Sequence, residues 1–450
     1  MTRRIAMISE HASPLAVLGG VDAGGQNVYV AHVARHLAEA GHQVDVYTRR
    51  DDPGAADVVE LAPGVRVIHV PAGPPEAVPK EELLPYMAEF RDWMIRDWLR
   101  NGRRYDLVHA HFFLSSLVAA DLKQRLDVPF AVTFHALGRV RRQFQGSNDT
   151  FPTERFAIEE RVAAEADRII AECPQDRADL IGLYDADPAR ISIVPCGFDP
   201  DEFSPRSRLA ARRELDLDPD ESIVLQLGRI VPRKGVDNVI RGVGSLRRDH
   251  GLEARLLIVG GSARVPDLAA DPELARLAAI ARDEGIADRV TFVGRRDRSE
   301  LATFYAAADV FVSTPWYEPF GITPVEAMAC GTPVIGSDVG GIKFTVRDGE
   351  TGFLIPPNDP AALGDRIART VGDGATRLRL SAQAIQRANE LFTWRHVTQQ
   401  IAAIYDEIGD ARNLRRDRRS RVRTAGTAAV ETSRGGTRPA AKPAIEAGAR

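Results

Sequence analysis

The chain has 450 residues, enough for two cores of about 150–200 residues each rather than one. With 44% hydrophobic and 27% charged residues it has the balance of a soluble globular protein, and no stretch approaches the roughly 18 uninterrupted apolar residues of a membrane span. The apolar run in MTRRIAMISEHASPL is too short for a secretory signal, and Cys173, Cys196 and Cys330 stand far apart in no metal-ligand spacing, so a cytoplasmic protein with reduced thiols is expected. The net charge of −4 is uneven: from Ala411 to Arg450 there are 11 Arg/Lys and 3 Asp/Glu, about +8, which leaves about −12 for the rest. That tail is rich in Gly, Pro, Ala and Thr and has no aromatics, so 411–450 is expected to be a disordered basic tail. It is given no nucleic-acid partner, only a peripheral contact with an anionic membrane as an alternative use.

In chain order, short apolar or β-branched runs alternate with amphipathic stretches. IAMIS (5–9), VDVYT (44–48), VRVIHV (65–70), LVHAH (107–111), FAVTFH (130–135), RIIAE (168–172) and ISIVP (191–195) read as buried strands, with helices such as 27–40 and 81–100 between them. This alternation predicts a parallel sheet with helices on both faces. The pattern pauses over 196–222, a polar stretch with three prolines. A second series follows: IVLQLG (223–228), ARLLIVGG (254–261), VTFVGR (290–295), VFVST (310–314), PVIGSD (333–338) and GFLIP (352–356), then helices near 360–371, 376–391 and 394–408. The expected fold is α/β: a doubly wound first domain over 1–197, a linker at 198–220, a second doubly wound domain over 221–388, and a terminal helix at 389–410. Ligands of open parallel sheets bind beyond the carboxyl ends of the strands, so two such sheets facing one another predict a cleft between the domains.

The second series carries WYEPFGITPVEAMACGTPVIGSDVGG (316–341), with Glu318 in a strand-end loop and Glu326 eight positions on. Thr323 followed by Pro324 reads as a helix start, threonine as N-cap, and Glu326 then falls at the capping-box position, which gives it a purely structural alternative. Glu318 has none. The helix N-terminus suits an anion, whereas two carboxylates suit hydroxyls, and a ligand with phosphates flanked by sugar hydroxyls is a sugar nucleotide. In GRIVPRKG, Arg229 ends a strand and Lys234 precedes a helix, a pair able to hold a diphosphate. GGVDAGGQNVYV puts Gly19, Gly20, Gly24 and Gly25 into the first strand–helix turn, where a backbone can approach a ligand or simply turn tightly.

Together these residues resemble the retaining glycosyltransferases of family 4, over roughly 1–410. The most specific signature is E-x7-E, here Glu318-PFGITPV-Glu326, joined by Arg229, Lys234, GGVDAGGQNVYV and FHALG (134–138). The resemblance implies a GT-B fold, two Rossmann-like domains facing across a cleft. It implies that Arg229 and Lys234 hold the donor diphosphate, that Glu326 accepts from the ribose hydroxyls, and that Glu318 meets the donor sugar beside the backbone of Phe320, Gly321 and Ile322. Gly24 and Gly25 approach the donor from the other domain, and His135 lies near the reacting carbon. The chain is similar to two branches: sucrose-phosphate and mannosylfructose-phosphate synthases, and D-inositol-3-phosphate glycosyltransferases. Both imply a phosphorylated acceptor. Lys80 and Arg155 match their phosphate-holding cations, Arg141 matches a lysine of the first branch, and Asn27 is expected at the acceptor. Two positions depart from these branches: Ala136 replaces the hydroxyl residue after the histidine, and Phe112 stands where the inositol-phosphate branch has tyrosine, so neither fructose 6-phosphate nor inositol phosphate is fixed as the acceptor.

The expected reaction is transfer of a hexosyl group from a nucleoside-diphosphate sugar, UDP favoured, with retention and no metal cofactor. Asp185-Ala-Asp187, a D-x-D, sits beside Pro188 and reads as a turn. A glycosidase would also have two carboxylates but no use for Arg229 and Lys234. An epimerase of the same architecture would need no acceptor. A lipid-linked or glycan acceptor is the alternative within the class.

Overall fold

The computed structural model describes residues 2–16 and 24–434, with side chains through 414; Gly19, Gly20 and the tail from 435 lie outside the described residues. Met1–Tyr405 form one unit and Asp406–Arg450 another.

The first sheet is built from β1 (Arg4–Ile8), α1 (Gly25–Glu39), β2 (Gln43–Arg49), β3 (Val58–Ala62), β4 (Val65–Val70), α2 (Met87–Arg100), β5 (Leu107–His111), α3 (Phe112–Leu126), β6 (Phe130–Thr133), α4 (Gly138–Gln145), α5 (Glu154–Glu165), β7 (Arg168–Ala171), α6 (Pro174–Tyr184) and β8 (Ile191–Ile193). Its order is β3-β4-β2-β1-β5-β6-β7-β8, parallel except for β3, which runs antiparallel to β4. Helices cover both faces, so β5 is buried at all five positions.

After α7 (Arg208–Glu214), the second sheet follows: β9 (Ile223–Leu227), α8 (Val236–His250), β10 (Arg255–Val259), α9 (Pro272–Asp283), β11 (Val290–Gly294), α10 (Arg298–Ala307), β12 (Val310–Ser313), α11 (Ile322–Ala329), β13 (Val334–Ser337), α12 (Ile342–Thr345), β14 (Gly352–Ile355), α13 (Pro360–Gly372), α14 (Gly374–Leu391) and α15 (Trp394–Arg434). All six strands are parallel, in the order β11-β10-β9-β12-β13-β14. Strand order therefore reverses between β1 and β5 in one sheet and between β9 and β12 in the other. At such switch points consecutive loops diverge and leave a crevice at the carboxyl ends.

The chain passes between the sheets twice, and the two crossings pair. Phe198 N–H donates to Phe392 O at 2.8 Å and Trp394 N–H to Phe198 O at 3.0 Å, a parallel bridge of Phe198 with Thr393. Trp394 stacks on His32 of α1 (5.3 Å, 6°), and the Tyr405 hydroxyl bonds His109 Nδ1 at 2.7 Å, so α15 up to Tyr405 is fixed to the first sheet.

Three differences from the sequence reading have local causes. β3 was not anticipated: VVELA is a short edge strand, half exposed, with little apolar pattern. The helix expected from 81 begins at Met87, because 80–86 forms two short 3-10 turns, the second around Pro85. The last helix runs to Arg434 instead of ending at 410, so the expected disorder does not begin at 411; 411–434 has no proline, one glycine and many arginines and alanines, all good helix formers.

Candidate active site

The Glu318 loop follows β12, and its shape depends on glycines that come later in the chain. A Cβ on Gly340 would lie 2.0 Å from Glu318 O, and one on Gly341 would lie 2.2 Å from Phe320 Cα. Gly341 N–H donates to Glu318 O at 3.0 Å. The glycines that trail the two glutamates thus let the backbone after β13 press against the loop holding Glu318. α11 starts at Ile322 with Gly321 as N-cap in the left-handed region (φ 92°) and no side-chain cap. Thr323, expected as N-cap, lies inside the first turn. Glu326 consequently does not serve as a capping-box residue.

The loop after β9 is seated in the same manner. Gly235 has φ 64°, and a Cβ there would stand 2.0 Å from Thr314 O, so only glycine lets this turn approach the end of β12. Lys234 Nζ forms an ion pair with Glu318 Oε2, and Arg233 Nη1 lies 3.8 Å from the same oxygen. Burial pulls the Lys234 ammonium below its ordinary value, with Glu318 opposing and Arg233 and Arg229 reinforcing. Burial alone would raise Glu318, but Lys234, Arg233 and Arg229 outweigh it and hold its carboxyl below the usual range. The direction that matters is an ionised Lys234–Glu318 pair with Arg233 close by, and Arg233 Nη1 is buried without a hydrogen-bond partner. Beside this loop a cavity of ≈ 390 Å³ opens against Ile230, Gly260, Gly261 and Phe292.

Glu326 is 2% exposed. Its Oε1 accepts from Arg298 Nη1 at 2.9 Å and its Oε2 from the Tyr305 hydroxyl at 3.0 Å. Burial raises its carboxyl above the ordinary value, against the pull of Arg298.

The first domain faces this site from the β1 and β5 ends. Gly24 is the N-cap of α1, and a Cβ on Gly25 would meet Ile322 Cδ1 at 3.2 Å. Asn27, expected at the acceptor, is buried and local instead: its Oδ1 accepts from Gly24 N–H and its Nδ2 donates to Ser13 O, both at 2.9 Å. His135 follows β6 at φ 59°, in the left-handed region that few residues other than glycine adopt. Glu172 Oε1 at 2.7 Å places a proton on its Nδ1, and His111 Nδ1 lies 3.1 Å from its Nε2. Tyr29 packs edge-on against the ring at 4.9 Å. Two contacts bring α4 and α6 to the Glu318 loop: Gln145 Nε2 donates to the Tyr317 hydroxyl at 2.7 Å, and Cys173 Sγ lies 3.3 Å from Pro319 O.

The expected acceptor cations are placed differently from one another. Lys80 stands on the turn after β4, 3.8 Å from Glu81. Arg141 is held by buried Asp149 at 2.7 Å. Arg155, expected to meet a phosphate, is 1% exposed: its Nε donates to Glu159 at 2.7 Å and its Nη2 to Ala136 O. The rings of Phe112, Phe113 and Phe151 surround its guanidinium at 4.5–4.9 Å. Its Nη1 is left buried without a partner, and Phe112 adopts φ 78°. Asp185 and Asp187 form a turn, Asp185 as the left-handed C-cap of α6 and Asp187 accepting from Ala189 N–H at 3.0 Å.

Sequence reading missed Arg233, Arg298, Tyr305 and Tyr317. Arg233 adjoins Lys234 and was legible as a third cation; Arg298 and Tyr305 reach Glu326 only through the packing of α10 on α11.

Residues 207–387 match the family model for glycosyl transferases group 1, and 23–202 match that for glycosyltransferase family 4. The D-inositol 3-phosphate glycosyltransferase of Actinosynnema mirum is 38% identical over 424 residues, covering 92% of this chain and 99% of that protein. Sucrose-phosphate synthase from Thermosynechococcus elongatus superposes with TM-score 0.82 at 36% identity, over 91% of this chain and 100% of its own. WaaG, a glycosyltransferase involved in lipopolysaccharide biosynthesis, shares the fold at TM-score 0.66 and 20% identity, over 89% and 99%.

The chain therefore belongs to the group 1 glycosyltransferases of family 4 and has the GT-B fold. Within them it is an enzyme close to the inositol-3-phosphate glycosyltransferases and to sucrose-phosphate synthase.

Proposed function

We propose that this enzyme transfers a hexosyl group from a nucleoside-diphosphate sugar, UDP favoured, to a phosphorylated sugar or polyol, with retention at the anomeric carbon. The observation that carries the reading is the buried pairing of Lys234 with Glu318, with Arg233 3.8 Å from the same carboxylate oxygen and its Nη1 without a hydrogen-bond partner. Arg229, Arg233 and Lys234 hold the diphosphate, and the cavity beside Ile230 takes the base. Glu326 accepts from the ribose hydroxyls; Glu318 and the backbone of Phe320, Gly321 and Ile322 meet the sugar, with Gly24, Gly25 and His135 opposite.

As the glycosidic bond breaks, charge builds on the leaving phosphate, where fixed cations and N–H groups lower the barrier most. A leaving-group oxygen takes the acceptor proton on the same face, which yields retention without a protein base. Closure of the cleft excludes water, and the cations serve the role a metal would otherwise fill. The phosphorylated acceptor draws support from the relatives' names, and Lys80, on the turn after β4, is the cation for it. Phe112 and Ala136 depart from the patterns of the two branches, so the test includes both fructose 6-phosphate and inositol phosphate.

The test is thermal stabilisation and product analysis with UDP-, GDP- and ADP-sugars, alone and with fructose 6-phosphate or inositol phosphate. A ligand of the folded state raises the melting temperature. A shift with one donor family, lost in Arg229→Ala, and an α-linked product from an α-donor support the reading. No shift at millimolar donor ends it.

A further inference from the structure

Arg298 is the first residue of α10, the helix end where a cation opposes the macrodipole, so nothing local favours arginine there. Its partners explain it. Nη1 donates to Glu326 Oε1 at 2.9 Å, Nε donates to Glu202 Oε2, and the guanidinium lies 4.8 Å from the Phe203 ring centre. Nη2 is buried with no hydrogen-bond partner. Glu202 and Phe203 belong to the segment just after Phe198, where the two crossings between the sheets pair. There Asp199 Oδ2 lies 3.9 Å from His32 Nδ1, and His32 stacks on Trp394 of the other crossing. The ligand atoms of His32, Asp199 and Glu202 all fall within 4.8 Å of one another, a grouping that a metal ion could occupy; Arg298 already provides a positive charge at its Glu202 edge.

We propose that Arg298 is a positioning residue for the donor: it fixes the Glu326 carboxylate for the ribose hydroxyls and ties it through Glu202 to the interdomain crossing. This rests on the donor reading of Glu326 above. Each carboxylate oxygen has two lone pairs. Arg298 and Tyr305 engage one on each oxygen, which orients the carboxylate and leaves one on each for two vicinal hydroxyls. Because the same guanidinium holds the crossing, nucleotide binding and the setting of the two domains are mechanically joined. The titratable and charged groups facing Glu326 are Arg298, Tyr305, Cys330 and, behind Arg298, Glu202.

The experiment uses the full chain as wild type, Arg298→Gln, Arg298→Lys and Glu202→Gln. It measures calorimetric Kd for UDP and UDP-glucose (or the donor that stabilises best), steady-state kinetics, the pH profile of kcat/KM, and melting temperature. Arg298→Gln is expected to raise donor Kd and KM about tenfold with kcat within about threefold, the split that marks loss of uniform binding. Its acid limb of kcat/KM should move to higher pH, since Glu326 loses the cation that favours its ionised form. Arg298→Lys, able to reach one carboxylate but not two, should fall between. Glu202→Gln should raise donor Kd severalfold and increase hydrogen exchange across 196–204; a Glu202→Gln that changes neither overturns the tie to the crossing. A folded Arg298→Gln with unchanged Kd, KM and pH profile overturns the proposal. Should Arg298→Gln not fold, an unchanged KM in Arg298→Lys overturns it equally. A wild type that binds no sugar nucleotide overturns the donor reading and the proposal together; a binding wild type matched by Arg298→Gln overturns the proposal alone.

Discussion

A Cβ built on Gly25 would stand 3.2 Å from Cδ1 of Ile322, so the first turn of α1 meets the first residue of α11 across the cleft with no side chain between them. Since Ile322 opens the helix beside Glu318, this contact sets how closely the two domains approach around the donor.

Gly25→Val should therefore wedge the cleft. Displacing reacting groups by about 1 Å can cost on the order of a hundredfold in rate, so kcat/KM is expected to fall roughly 10–100-fold. Gly25→Ala needs only a small shift of a flexible isoleucine tip and should stay within about threefold. Equal kinetics for Gly25→Val and wild type would refute the role of this contact.

Gly341→Ala should disable the Glu318 loop. Its φ is −71°, so an alanine is not strained by its own backbone. The obstacle is the backbone of Phe320, which cannot move aside as a side chain would. Expected are a loss of about 1–3 kcal/mol in stability and a larger loss of activity. Gly182→Ala on α6, with nothing within 4 Å of the added Cβ, is the control and should be neutral or mildly stabilising.

On the proposed reading, Lys234→Ala removes a charge-assisted partner of the donor diphosphate. Such bonds contribute about 1.5–3 kcal/mol, so nucleoside-diphosphate affinity should drop roughly 10–100-fold. Titration calorimetry reads this directly; an affinity within threefold of wild type would place the phosphates elsewhere.

Acid should destabilise the first domain. Burial holds His32 and His109 down at about 3 and His111 well below its ordinary value, with repulsion from His135 adding at His109 and from His109 and His135 at His111. These rings stay neutral in the folded state while unfolded histidines gain protons below about pH 6.5, so their stabilising contribution is lost as pH falls. Asp176, pushed up to about 8 by burial and by Glu172, acts in the opposite sense, because the folded state holds its proton where the unfolded state has released it. Three protons against one leave a slope that grows from about 0.7 kcal/mol per pH unit at pH 6.5 to about 2.6 at pH 5 as the unfolded histidines fill. Calorimetric melting over that range should show a steady decline, steeper still in Asp176→Asn. A flat wild-type profile would mean the histidines are charged in the folded protein.

The sequence by itself determined the parallel strands and their order of appearance, because each is a run of apolar, often β-branched residues that only a sheet covered on both faces can bury: LVHAH and VFVST were legible without any partner, whereas the half-exposed antiparallel β3 was not. It also determined the chemistry available at the strand ends, with Arg229, Lys234, Glu318 and Glu326 marked by residue type and by the glycines around them. What it could not determine was what each side chain faces. Glu326 carried a capping-box pattern that α11 does not use, since Gly340 and Gly341 let the loop approach closely and Gly321 starts the helix instead. Asn27 turned inward to Gly24 and Ser13, and Arg155 sank among three phenylalanines. Glu326 owes its orientation to Arg298, 28 residues away, which in turn is held by Glu202, 96 residues away. Tertiary structure alone decided these, for a physical reason: a helix or strand announces itself through periodicity within a few residues, whereas a buried charge is placed by whichever opposite charge the packing of distant elements brings to it.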